Sequence, residues 1–270
     1  MKLALPVLAV LTALAAAPAQ AGEAPCWLDQ GVLVVAASVA GAAGDYILDT
    51  ATPRTTLHET RAQTEGYATT TLTGDARVAG QTVKALPVQV VDLDARTLAF
   101  PTPIAGVIGA DLLSRYVVDI RFAPCRVGLY APGEAPRLKR GQTLPFTLAG
   151  DIPAVIGAVS DGPRAASGPL VIATGADTGL RLATGQASAP GATEPGNLLP
   201  YGIWRARLRA ASLAGGLWEN PAVGLIPDAV LPPGALGAVG PARLATWRLR
   251  IDYPRRRVTL VQVSAARPRS

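Results

Sequence analysis

Apolar and polar residues alternate along most of this chain in short runs bounded by Gly, Pro, Asp or Asn, the period-two pattern of half-buried strands. The stretch "VLVVAASVAGAAGDYILD" (32–49) holds two such runs about a small-residue turn and predicts a β-hairpin whose second strand ends at Asp49. "AVIGAVSDGPRAASGPLVIA" (154–173) predicts a second hairpin of the same form. Period-3.6 patterning is confined to two short segments, "ADLLSRY" (110–116) and "PARLATW" (241–247), each read as a short helix, with Asp111 placed to cap the first. "ATGQASAPGATEPGNLLPYG" (183–202) is poor in bulky residues and reads as a mobile surface loop.

The pattern occurs twice. "GVIGADLLSRYVVDIRFAPCRVGLY" from Gly106 and "GAVGPARLATWRLRIDYPRRRVTLV" from Gly237 align without a gap at an offset of 131, with Leu113 on Leu244 and Tyr116 on Trp247. Upstream, "ARVAGQTVKALPVQVVDL" matches "RAASLAGGLWENPAVGLI" loosely, with Pro87 against Pro221. Further up, "YILDTATPRTTL" falls opposite "LVIATGADTGLRL", placing Asp49 against Ala173 at an offset of 124. The chain therefore reads as two mainly β lobes related by a pseudo-twofold, at 22–131 and 145–264. A Pro, Gly and charge-rich linker at 132–144 joins them, and a basic tail follows at 265–270.

Composition alters this picture at its ends and in its chemistry. Lys2, the apolar run after it and the ending "AQA" read as a secretory signal over 1–21, cleaved after Ala21, which sends the protein to the periplasm or outside the cell. No later apolar run is long enough to span a bilayer, so no integral membrane association is expected. Without Lys2 the chain has 24 basic against 19 acidic residues. No basic helix or aromatic-studded groove accompanies the excess, which excludes nucleic acid as the expected partner and reads as solvated arginines on strand faces. Cys26 and Cys125 are the two cysteines; an even pair in an exported chain is most simply a disulfide, with two buried free thiols the alternative. His58 is the one histidine, which argues against a His-dependent serine or cysteine enzyme and reads as a surface or packing residue. No His, Cys and carboxylate spacing suits zinc and no glycine loop suits phosphate, so neither metal nor cofactor is expected. Asp92, Asp94, Asp119 and Asp252 follow strand-like segments and read as turn or face residues; the four tryptophans read as core or rim.

Two apolar residues, Asp49-Thr50, a small residue, then Thr and Leu, then a hairpin, then "VIGADLL" entering a short helix: this order resembles the retropepsin and pepsin group of aspartic peptidases, closest to bacterial periplasmic retropepsin-like proteins whose domains end in a strand pair such as "RIDYPRRRVTL". The resemblance covers nearly all of the chain after residue 21. It implies two closed β-barrel lobes whose Asp loops meet beneath a cleft, with Thr50 and Thr174 hydrogen-bonding across. It also implies a peptide or unfolded-protein substrate and a monomer containing an internal pseudo-dimer. Hydrolysis in that group needs two carboxylates sharing a proton, one to activate water and one to protonate the carbonyl. Here Asp49 is the evident catalytic carboxylate, and the second loop reads Ala173-Thr174-Gly175. A second Asp-Thr-Gly, Asp177-Thr178-Gly179, comes four residues later, but "PLVI" before Ala173 makes the better lead-in strand. Ala51 stands where Gly is commoner, a methyl group that would be costly at positive φ. Three readings follow: a weak or inactive aspartic-peptidase homologue, a non-catalytic peptide-binding pseudoprotease, and an enzyme completed by Asp177 or by an Asp49 pair between chains.

Overall fold

The computed structural model describes residues 22–138, 140–161, 164–183, 204–226 and 230–263. The leader at 1–21, all but Ala183 of the loop read at 183–202, and the basic tail lie outside the described residues.

The first alternating run forms β2 (Val32–Val39) and β3 (Ala42–Leu48), a hairpin that turns through Ala40 and Gly41. With β4 (Thr56–His58), β5 (Thr71–Val78), β6 (Gln81–Val91) and β7 (Ile104–Ile108) it makes a sheet in the order β2-β3-β7-β4-β6-β5. Pairing of Ala37–Val39 with Ala76–Val78 closes that sheet into a six-stranded barrel. Alternation sorts the side chains: Leu33, Val35, Tyr46 and Leu48 enter the main core, whereas Val32, Val34 and Ile47 join Leu93 and Val107 in a separate cluster. Both faces of this hairpin are thus buried at the end where Asp49 follows.

The second lobe repeats the plan with interrupted strands. β12 (Ile152–Asp161) and β13 (Arg164–Ile172) are its hairpin, and β14 (Leu180–Ala183), β18 (Ala222–Ile226) and β19 (Gly237–Val239) continue the sheet. β15 (Trp204–Arg207) pairs with β18, while β16 (Ala210–Leu213) pairs with β12 and with β17 (Gly216–Glu219). Pro221, which has no N–H to give a ladder, falls at the break between β17 and β18. A short β11 (Thr147–Ala149) lies along β12.

One antiparallel sheet ties the lobes together. β1 (Glu23–Asp29) pairs with both β2 and β9 (Cys125–Tyr130), and β9 pairs with β8 (Val117–Phe122). β8 then pairs with β20 (Trp247–Asp252), β20 with β21 (Arg257–Gln262), and β21 with β10 (Gln142–Pro145), the last residues of the connecting segment. Cys26 and Cys125 are joined in a disulfide between β1 and β9, 99 residues apart in sequence.

The register of β8 on β20 fixes the symmetry axis. Val118 faces Ile251 and Ile120 faces Leu249, two pairs that exchange under the 131-residue repeat, so the pair between them, Asp119 and Arg250, maps onto itself. The residue facing its own repeat counterpart is therefore an acid facing a base. Asp119, 3% exposed, accepts from Arg250 Nε at 2.7 Å and from Arg248 Nε at 2.7 Å. Arg250 Nη2 also donates to Asp119, and Nη1 donates to the Pro136 carbonyl at 2.6 Å.

Asp119 is not a turn or face residue, and Arg248 and Arg250 do not lie on a solvated face: the lobe contact buries that side of β8 and β20, and burial selects opposite charges in pairs. Asp111 does not cap its helix either. The helix, α3 (Ala110–Leu113), starts from Gly109 without a side-chain cap; Asp111, inside the first turn, accepts at Oδ1 from the Leu112 amide at 2.9 Å and from the Thr55 amide at 2.9 Å and hydroxyl at 2.7 Å. α4 (Pro241–Leu244) is its counterpart in the second lobe. Two further helices, α1 (Glu59–Thr64) and α2 (Asp94–Thr97), carry no periodic signal long enough to have been read.

Candidate functional site

Asp49 sits where β3 ends beside β7. Its amide donates to the Ile108 carbonyl at 3.0 Å, and the amide of Ala110 donates to Thr52 O at 2.8 Å, so the loop after the strand is tied to the apolar-apolar-Gly crossing. The crossing is close enough to require glycine: a Cβ on Gly109 would lie 2.5 Å from the Arg54 carbonyl carbon, and one on Gly240 would lie 2.1 Å from Thr178 O. In the second lobe the Ala173 amide donates to Val239 O at 3.0 Å, the same bond in the repeat.

The two loops lock through their threonines. Thr50 Oγ1 donates to Ile172 O at 2.5 Å and Thr174 Oγ1 donates to Leu48 O at 2.7 Å. Each hydroxyl also accepts from the other threonine's amide, at 3.1 and 3.3 Å, and both side chains are fully buried. This reciprocal set pairs Thr50 with Thr174 and so sets Ala173, 4% exposed, in the place that Asp49 occupies in the first loop. Ala51 avoids positive φ, so its methyl group brings no backbone strain.

Asp49 is 5% exposed and surrounded by donors. Oδ1 accepts from the amides of Ala51 at 2.9 Å and Gly175 at 3.2 Å, and Oδ2 accepts from the Thr52 hydroxyl at 2.7 Å and Arg96 Nη2 at 2.7 Å. Burial pushes the carboxyl up, but the Arg96 charge, the Ala51 amide and the Thr52 hydroxyl outweigh it and hold the group below the ordinary carboxylate value. Asp177 does not join Asp49. Its Oδ1 is bound by Arg181 Nη2, and Arg181 Nε donates to the Thr178 hydroxyl at 2.7 Å, so that carboxylate is engaged within its own loop.

Between the lobes lies a cavity of about 420 Å³ lined by Asp49, Arg96, Asp177 and Arg181, with Val32, Ile47, Phe100, Val171, Ile226 and Leu231 among its apolar walls. No tryptophan is among the described residues lining it; Trp218 and Trp247 instead meet edge to face, 5.7 Å apart, in the second lobe. Arg96 is the residue that sequence reasoning missed. It arrives from α2, 47 positions after Asp49, and no motif marks an arginine in a four-residue helix.

His58 is buried, and its Nε2 lies 3.1 Å from Asp94 Oδ1 at the start of α2. His58, Asp92 and Asp94 bring donor atoms within 4.8 Å of one another. A metal-bound imidazole needs an acceptor for its other N–H, and His58 Nδ1 is buried without a partner. The arrangement therefore fits a direct His58–Asp94 contact steadying α2 better than a metal site. Among the described residues no helix is long and apolar enough to cross a membrane.

No protein-family model matches the chain, and no curated protein matches its sequence. Among solved structures, the crystal structure of aspartic proteinase from Irpex lacteus matches over 90% of this chain and 97% of that one, with a TM-score of 0.56 and 15% sequence identity. At that identity the likeness is one of fold, and the fold is pepsin-like.

Proposed function

We propose that this chain is an exported, non-hydrolysing relative of the aspartic peptidases that holds a peptide in the cleft between its two lobes. The observation that carries the reading is the environment of Asp49: it is anionic, bound to Arg96, and opposed by Ala173. Peptide hydrolysis by this class of site needs one protonated and one ionised carboxylate sharing a proton over the attacking water. A carboxylate held ionised by a guanidinium, with a methyl group opposite, supplies neither the acid nor the shared proton. What remains useful is a partly apolar cavity with fixed polar groups at its floor, the composition of a binding site. The lobes are taken as 22–131 and 145–264 with the linker at 132–144, and the leader and the disulfide support an oxidising, extracytoplasmic setting.

The test is a cleavage assay of an unfolded protein at acid pH, run beside peptide binding at neutral pH. The expected outcome is binding of extended apolar peptides with no turnover above that of Asp49→Asn. Cleavage that is blocked by a statine-type inhibitor and lost in Asp49→Asn would overturn the reading; loss in Asp177→Asn as well would assign Asp177 as the second acid.

A further inference from the structure

The guanidinium of Arg96 fills a space shaped for it. Nη2 donates to Asp49 Oδ2 at 2.7 Å and to the Gly175 carbonyl at 3.1 Å, and Nη1 reaches the Thr52 hydroxyl at 3.4 Å. Gly175 leaves the room: a Cβ there would lie 2.6 Å from Arg96 Nη2 and 2.5 Å from Asp49 Cγ. Its φ is not positive, so the position uses the absent side chain and not the backbone freedom of glycine. One lobe gives the carboxylate and the other gives a carbonyl and a bare Cα.

The cradle and its occupant are held differently. Asp49 and Gly175 flank the threonine lock and are fixed by both lobes. Arg96 hangs from α2, within a segment between β6 and β7 that adds no strand to either sheet. The arginine side chain is 29% exposed against 7% for Asp49. If Arg96 leaves, Asp49 keeps the Ala51 and Gly175 amides and the Thr52 hydroxyl, and lacks only a cation. An incoming anion would have to draw Arg96 away from that carboxylate and would find no fixed partner of its own there. Exchange of one cation for another disturbs less.

We propose that this cradle is a subsite for a basic side chain of the bound peptide, arginine in particular, and that Arg96 is the chain's own occupant, displaced when such a peptide enters. The inference rests on the peptide-binding reading of the cleft and names the side chain that the cleft selects. Arginine suits it better than lysine because, while Nη2 alone serves Asp49 Oδ2 and Gly175 O, the second arm of the planar fork reaches the Thr52 hydroxyl, a contact that a point-like ammonium in the place of Nη2 would not make. A tethered competitor acts at about millimolar effective concentration, so it weakens every arginine ligand while it remains.

Two measurements test this. In the first, Arg96→Ala and Arg96→Gln are melted with increasing ethylguanidinium chloride. A saturable rise in Tm at millimolar ligand is expected in both variants, with a smaller rise at the same concentrations in the wild type and none in Arg96→Ala/Asp49→Asn. In the second, apolar peptides carrying arginine or neutral citrulline at one central position are bound to the wild type and to Arg96→Ala. The arginine peptide should bind the variant about two- to several-fold more tightly than the wild type, with citrulline unchanged. Equal binding of both peptides to both proteins, or no saturable response to ethylguanidinium in either variant, would overturn the inference while the cleft reading stood. A peptide with glutamate at the same position that loses affinity in Arg96→Ala would overturn it in favour of an anionic ligand. Failure of every peptide to bind any form would instead sink the peptide reading itself.

Discussion

At the scale of single residues, the site is decided by what surrounds one carboxylate. Asp49 has four donors and no acid beside it, and its native pKa lies below the ordinary carboxylate value. A depressed native pKa means that the unfolded chain binds more protons in acid, so this stabilisation is complete above pH about 4 and is lost as pH falls through the lower native value. Asp49→Asn should therefore flatten the acid limb of stability against pH, read from urea midpoints between pH 2 and pH 6. Asp75, drawn down by its hydrogen bond from Lys84, keeps a slope of the same sign in that variant. The reverse experiment adds what is absent. Arg96→Leu combined with Ala173→Asp would place a second carboxylate at the twofold-related position and free the first of its cation, and acid-pH cleavage of an unfolded protein should appear where neither single change produces it. Asp49, Thr50 and Thr174 were legible because an apolar strand leading into a small turn with Thr is a local pattern that occurs twice, as Asp49-Thr50 in the first copy and Ala173-Thr174 in the second. Arg96 was not legible, because its role depends on a tertiary approach between segments that share no period.

At the scale of elements, hairpins carry the fold, and among the described residues four of them turn through two residues that both have positive φ: Gln30-Gly31, Ala40-Gly41, Ala79-Gly80 and Ala214-Gly215. Such turns match the twist of paired strands, but an alanine in the left-handed region costs roughly 1 kcal/mol, which asparagine largely avoids. Ala214, half-buried between β16 and β17, is the place to test this. Ala214→Asn should raise stability by about 0.5–1 kcal/mol in urea unfolding, whereas Ala214→Val should lower it by at least as much. The alternating run made the hairpin through Ala40-Gly41 readable in advance, whereas β1, and with it the turn at Gln30-Gly31, was not read from the sequence. The short helices were readable only where the repeat supplied a second copy, as with α3 and α4. α1 and α2 have six and four residues, fewer than two turns, and leave no periodic trace.

At the scale of the whole molecule, two fastenings hold one lobe to the other and the first strand to its sheet. The disulfide between β1 and β9 closes a span of 99 residues, and Cys26→Ala/Cys125→Ala should cost about 2–5 kcal/mol, seen as a matching loss in the wild type under reducing conditions. The second fastening is the on-axis pair. Asp119→Leu leaves Arg250 buried without its anion and should destabilise by about 3–5 kcal/mol, while Asp119→Leu/Arg250→Leu should recover part of that loss. The sequence announced the duplication but not the charge on its axis, because a repeat alignment says which residues correspond and not which of them touch. That pair also makes the halves complementary instead of interchangeable. Lobe one meeting another lobe one would bring two buried carboxylates face to face, and lobe two meeting its like would oppose two guanidinia. Fragments cut in the linker should accordingly recombine in strict one-to-one stoichiometry, each acting as the key to the other and to nothing resembling itself.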